Sequence, residues 1–223
     1  MIRIDVPRTA AEAERVQDQL RARLVLDRPG PATIRTAAGL DVAYSGEDRL
    51  VAAVVVLDAA TLTQVDRSVV RRRAAFPYVP GLFAFRELPA LADALVALRT
   101  VPDLLVCDGH GIAHPRRFGL ACHLGVLTGR PTVGVAKTAL VGRWDPPGPA
   151  RGDWSPLTDR GDVVGRVLRT RPGVKPVFVS VGSGLDLETA TRHVLALTPR
   201  YRLPETTRAA DHLARAALSE HPD

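Results

Sequence analysis

Apolar positions along the chain repeat with two periods. Ala13, Val16, Leu20 and Leu24 recur at helical spacing behind Thr9-Ala-Ala-Glu12, which has the form of a capping box. This helix is expected to run until Arg28-Pro29-Gly30-Pro31, which cannot continue it. Three strand candidates follow: Gly39 to Tyr44, the continuous apolar run Leu50 to Leu57, and the more mixed Leu62 to Val70. The turn Ser45-Gly46-Glu47-Asp48 and a second short connection predict antiparallel neighbours. Phe83 to Glu87 starts a helix, and Pro89 is expected to begin a second one reaching about Arg99. Leu104 to Cys107 is short and unalternated, which predicts a strand buried on both faces and ending in Asp108. Phe118 to Leu127 reads as a helix closed by Gly129, and Pro131 to Ala136 as another buried strand. Trp144 to Asp162, rich in Pro and Gly, reads as a long loop. Val163 to Arg169 and Pro176 to Val181 form a predicted hairpin. Helices over Asp186 to Leu197 and Thr206 to Leu218 complete the chain.

Three antiparallel strands, a helix, then a parallel strand ending in Asp is the order of an α/β, ribonuclease H-like fold, a mixed central sheet flanked by helices. The 223 residues are 46% hydrophobic, enough to bury the core of a single domain spanning 1–223. No run approaches the ~20 apolar residues of a membrane span. Met1 to Gln19 lacks the apolar run of a secretory signal, so a cytoplasmic protein with no membrane partner is expected. Cys107 and Cys122, in apolar surroundings, read as buried free thiols. They form no recognised zinc pattern with His110 and His114. The net charge of +6 favours an anionic partner, and apart from Lys137 and Lys175 its cations are arginines, which suit nucleic acid. An arginine-rich codon bias would give the same total.

The candidate chemistry rests on acids. Asp41 sits between Leu40 and Val42, where a carboxylate costs free energy unless something pairs it. Asp108 ends its strand where open α/β sheets place ligands, followed by Gly109, Gly111, His114 and two arginines. Glu87 lies on a third element. An oxygen-rich cluster of this kind suits Mg²⁺ or Mn²⁺ and phosphoryl displacement, and without metal at least one carboxyl should have a raised pKa. Lys137, at a strand end, becomes a phosphate contact if it stands beside such a cluster. His123, among apolar neighbours, reads as structural. Phe76-Pro-Tyr-Val-Pro-Gly81 is a stiff loop presenting Tyr78, either to stack on a base or to pack beneath its own loop.

These residues resemble the endonuclease V family. The resemblance is carried by Gly39-Leu-Asp-Val-Ala-Tyr44, Pro77-Tyr-Val-Pro-Gly81, Phe85-Arg-Glu87, Asp108-Gly-His-Gly-Ile-Ala-His-Pro-Arg116, Val133-Gly-Val-Ala-Lys137 and Val174-Lys-Pro-Val-Phe-Val-Ser180, in order along nearly the whole chain. It implies a Mg²⁺-dependent nuclease, with Mn²⁺ as a possible substitute. Such an enzyme cuts DNA at the second phosphodiester 3′ to deoxyinosine and leaves 3′-hydroxyl and 5′-phosphate ends. An endoribonuclease acting on inosine-containing RNA, or an inosine binder with weak cleavage, stays open. No obligate protein partner is evident. The resemblance makes Asp41 and Asp108 metal ligands and Glu87 the third acid. Tyr78 becomes the wedge that replaces a flipped base, and Pro80, Gly81, Gly109, Gly111, Leu120, Ala136 and Leu140 the surroundings of the lesion. It puts His114 and Lys137 near the scissile phosphate. Asp211 falls at the fourth active-site position, with His212 as the neighbour that a one-residue shift would substitute. Ser183-Gly184 departs from the His and basic residue usual in relatives, which leaves a nucleic-acid contact there in doubt.

Overall fold

The computed structural model describes residues 6–46 and 48–220. Met1–Asp5 of the N-terminal stretch, Glu47 of the predicted turn and residues 221–223 lie outside the described residues. Helix α1 (Ala10–Arg21) starts where Thr9 Oγ accepts the Glu12 amide at 3.2 Å. It ends before Leu24, earlier than the pattern predicts. The chain there turns to lay Val25 on the far end of the sheet, where its amide donates to Ser183 Oγ and its carbonyl accepts from Gly184.

Strands β1 (Thr36–Ser45), β2 (Arg49–Asp58) and β3 (Gln64–Arg73) form the antiparallel meander. β3 runs past Val70 through Arg71, Arg72 and Arg73, because an edge strand needs no apolar side chains on its outer half. Helix α2 (Ala84–Val96) is one helix with Pro89 inside it, not the two expected. Phe85, Leu88 and Leu91 are buried along its length, and that packing outweighs the backbone hydrogen bond the proline cannot make. β4 (Leu104–Asp108) lies parallel to β1, with Leu40 opposite Cys107. Helix α3 (Leu120–Thr128) follows and closes at left-handed Gly129, φ +66°. β5 (Thr132–Ala136) is parallel to β4.

β6 (Trp154–Asp159) occupies part of the stretch read as a loop. It pairs with β7 (Asp162–Leu168) at the edge of the sheet, with a single bridge from Thr158 to Arg143 on its other side, and such an edge strand accommodates Pro156. Arg166 of β7 stacks over the Trp154 ring at 3.7 Å. β8 (Val177–Ser183), α4 (Leu187–Ala196) and α5 (Glu205–Ser219) follow. The sheet order is β3-β2-β1-β4-β5-β8-β7-β6. Leu40, Val54, Leu88, Leu91 and Leu124 build the core on the α2–α3 side, while Val106, Val133, Val179 and Val194 build another beneath α4. Val55, Leu57 and Ala210 join α5 to the meander. Gly39 lets α5 lie directly on β1: a Cβ there would fall 2.0 Å from the Thr206 carbonyl oxygen. Among the described residues no helix is long and apolar enough to cross a membrane.

Candidate active site

β1 and β4 run parallel with Leu40 opposite Cys107, so Asp41, midway along β1, and Asp108, at the end of β4, each present a carboxylate to one cleft of about 310 Å³. Asp41, Glu87, Asp108, Lys137, Asp211 and Arg215 line it, so residues from five parts of the chain converge. Three of the four acids have a distinct companion. Lys137 Nζ donates to Asp108 Oδ2 at 2.6 Å. The Tyr44 hydroxyl donates to Glu87 Oε1 at 3.0 Å. Arg215 Nε donates to Asp211 Oδ1 at 2.7 Å. His212, the alternative at the fourth position, is exposed and outside the cleft.

Electrostatics separates the acids. Burial, then the charges of Asp108 and Asp211, push Asp41 up to about 7. Burial also pushes Glu87 up to about 8, against the lowering effect of the Tyr44 hydrogen bond. Asp211 goes the other way: burial raises it, but Arg215 and a hydrogen bond shared with Asp41 hold it below the usual carboxylate range. Of the pair Asp41–Asp211, Asp41 is therefore the one that holds a proton up to about pH 7, while Asp211 stays ionised beside Arg215. Among the described residues no three His, Cys, Asp or Glu side chains already close around one point. The donor set is nonetheless all oxygen, with a buried acid whose ionisation is delayed to about pH 7 beside two other carboxylates. Those features fit a hard divalent cation rather than zinc or a redox metal.

A second pocket, about 220 Å³, shares Asp108, Phe83 and Leu120 with the cleft. Tyr78, Pro80, Gly81, Gly109, His114 and Leu140 complete its mouth and walls, together with His110 and Gly119. Tyr78 is 70% exposed and meets Phe83 edge-on at 5.7 Å, so it stands at the rim instead of packing under its loop. The loop is tied down from below. Gln17 Nε2 donates to the carbonyls of Gly81 and Phe118 at 3.0 and 3.1 Å. Arg86 donates to the Phe76 carbonyl at 2.9 Å, joining the loop to the helix that carries Glu87.

Three expected positions differ. His114 lines the pocket beneath Tyr78, not the acid cleft, and burial lowers it to about 4, so it is a neutral hydrogen-bonding group at pH 7 rather than a positive charge beside a phosphate. Gly111 does not border the pocket. It is pressed against β8, where a Cβ would fall 2.0 Å from the Val181 carbonyl oxygen and where its amide donates to Ser180 Oγ. Ala136 is likewise absent from the pocket walls, being packed with Phe178 and Ala113. Ser183 and Gly184 lie at the other end of the sheet, since Ser183 pairs with Thr132 at the start of β5 while Lys137 follows its end. Ser183 serves there as a hydrogen-bond acceptor for Val25.

Residues 18–212 match the family model for endonuclease V. The chain belongs to the endonuclease V family. Endonuclease V of Nocardia farcinica is 61% identical over 216 residues, 96% of this chain and 95% of that protein. The crystal structure of endonuclease V from Streptomyces avermitilis superposes with a TM-score of 0.93 at 56% identity, covering 99% of this chain and 98% of that one. A further endonuclease V, from Ciona intestinalis, was crystallised with a 24mer DNA containing an inosine followed by a ribo-adenosine. It is 29% identical, with a TM-score of 0.81 over 94% of this chain and 98% of its own. The family is one of nucleases, and the ribonuclease H-like sheet expected from the strand order is the one observed.

Proposed function

We propose that this chain recognises deoxyinosine in DNA and hydrolyses the second phosphodiester 3′ to it, using Mg²⁺, with Mn²⁺ able to substitute. The products are 3′-hydroxyl and 5′-phosphate ends. The observation that carries the reading is the shared wall at Asp108: a cleft of carboxylates adjoins a glycine-lined pocket under an exposed tyrosine. The likeness to a relative crystallised with inosine-containing DNA supports the substrate class. Asp41 and Asp108 would hold the cation, with Glu87 and Asp211 completing its charge surroundings. A bound divalent ion supplies charge stabilisation to the attacking and leaving oxygens of the displacement. Lys137 neutralises Asp108 until substrate arrives, then donates to the phosphate. Tyr78 fills the space of the flipped base, and neutral His110 and His114 offer hydrogen bonds to it. Flipping costs less for a mispaired base, which contributes to selectivity.

The test is nicking of a duplex carrying a single deoxyinosine, compared with the same duplex carrying adenine and with inosine in single-stranded RNA. Cutting at the second 3′ phosphodiester of the inosine DNA, dependent on Mg²⁺ or Mn²⁺, is expected. No cleavage with either ion would defeat the proposal. Preference for the RNA would reassign the substrate.

A further inference from the structure

The arginines at the end of β3 have no role in the site described so far. β2 and β3 pair without irregularity from Arg49–Arg73 to Val56–Asp66, so side-chain direction follows strict alternation there. Arg71 donates to the Ala217 carbonyl at 2.8 Å, which places it on the α5 face of the sheet. Arg73, two residues on, shares that face. Arg49 is directly opposite Arg73 and shares it too. Arg72 points to the other face, where it pairs with Asp93 of α2. All four are exposed. On the α5 face, Arg215 continues the series into the acid cleft itself.

The sheet order gives this series a direction. The pocket under Tyr78 lies at the ends of β4 and β5, the acids at β1 and β4, and the arginines on β2 and β3. Pocket, acids and arginines thus lie in sequence across one end of the sheet. Ser45, which pairs with Arg49, is four positions beyond Asp41. At about 3.3 Å per residue along the strand and about 4.8 Å per strand across, Arg73 stands roughly 16 Å from Asp41. That is about five nucleotides of strand at ~3.4 Å each. Arginines serving only to protect an edge strand would not need to concentrate at its active-site end, where three follow one another, whereas the opposite half of β3 carries Gln64, Asp66 and the single Arg67.

The geometry points to a backbone track: Arg215, Arg49 and Arg73 hold the phosphates of the nucleotides 3′ to the cut, the strand that leaves with the 5′-phosphate. This rests on the proposed reading that cleavage is 3′ to a base held under Tyr78. It adds which flank of the substrate is gripped, and by which residues.

The experiment uses inosine-containing strands with a fixed 5′ arm and 3′ arms of two, four, six and twelve nucleotides beyond the cut. For the unaltered protein, KM is expected to fall as the 3′ arm grows to about six nucleotides and then level off, at constant kcat. In Arg49→Ser/Arg73→Ser that fall is lost, while the two-nucleotide arm is cut as before. The slope of log affinity against log salt for the long-armed strand drops by about 1.4, two contacts at ~0.7 each. Arg72→Ser, on the other face, keeps the arm dependence. Arm dependence unchanged in the double variant, or absent from the unaltered protein while it cuts inosine strands, overturns the track. Equal loss in Arg72→Ser overturns it as well, by reducing it to overall charge. Failure of the unaltered protein to cut any inosine strand overturns the reading of the site, and the track with it.

Discussion

Tyr44 shows how much one hydroxyl can decide. Its oxygen donates to Glu87, the Arg86 guanidinium lies over its ring at 5.2 Å, and Phe83 tilts against it. Glu87 is buried and raised to about 8, and this is the hydrogen bond that favours its ionised form. Tyr44→Phe should therefore leave KM for inosine DNA within twofold and lower kcat about tenfold, the ~1.4 kcal/mol of a hydrogen bond to a charged group. Single-turnover rates measure it, and an unchanged rate would remove Tyr44 from the site. Asp108→Asn should abolish cutting while equilibrium binding of the inosine duplex persists; cutting at the native rate would refute the metal assignment. Asp41 and Asp108 were legible in the sequence because a carboxylate inside or ending an apolar strand demands a partner. Gln17 and Tyr44 were not, because each acts through a residue far away in the chain, and His110 was not, because only the fold turns it into the pocket. Gln17 did leave a signal: it falls four residues after Ala13, a polar group on the buried face of α1.

At the scale of elements, what matters is how closely backbones approach. α5 delivers Asp211 to Asp41 because Gly39 lets the helix touch β1. Gly39→Ala should cost about 1–3 kcal/mol through overpacking. That corresponds to a fall in Tm of several degrees at ~2–4 °C per kcal/mol, and kcat should fall with it as Asp211 is displaced. Denaturation and nicking on one preparation check both. α3 is held by a different device. His123 is buried between Phe85 and Phe118, with ring centroids at 4.8 and 4.5 Å, and burial lowers it to about 3. Because its folded pKa lies below the unfolded value near 6.5, its contribution is full above that value and is lost as pH falls toward 3. At pH 5 the loss reaches about 2 kcal/mol. Relative to the unaltered protein, His123→Leu should lose less stability between pH 7 and pH 5; parallel losses in the two proteins would contradict this. The reading of helices and strands failed where tertiary packing overrode local chemistry: Pro89 inside α2, and β6 within a stretch whose prolines and glycines suggested a loop.

Across the whole molecule, a basic protein of net charge +6 gathers Asp41, Glu87, Asp108 and Asp211 into one cleft, and stability there is linked to what neutralises them. Asp41 has a folded value of about 7 and Glu87 of about 8, both above the unfolded carboxylate range. Each therefore binds more proton folded than unfolded, and their contribution to stability is present at low pH and lost as pH rises through those values. A divalent cation reverses this only by displacing the protons, so its affinity must increase with pH. Thermal unfolding with and without Mg²⁺ should show a small gain at pH 6 and a larger one at pH 8. With free ion at about ten times its Kd, the gain is ~1.4 kcal/mol, or roughly 3–6 °C in Tm for a chain of this size. Chelation should remove it, and Asp41→Asn/Asp108→Asn should abolish it at both pH values. An equal gain at pH 6 and pH 8 would mean that the ion binds somewhere other than between these acids. So would a gain that survives the double substitution.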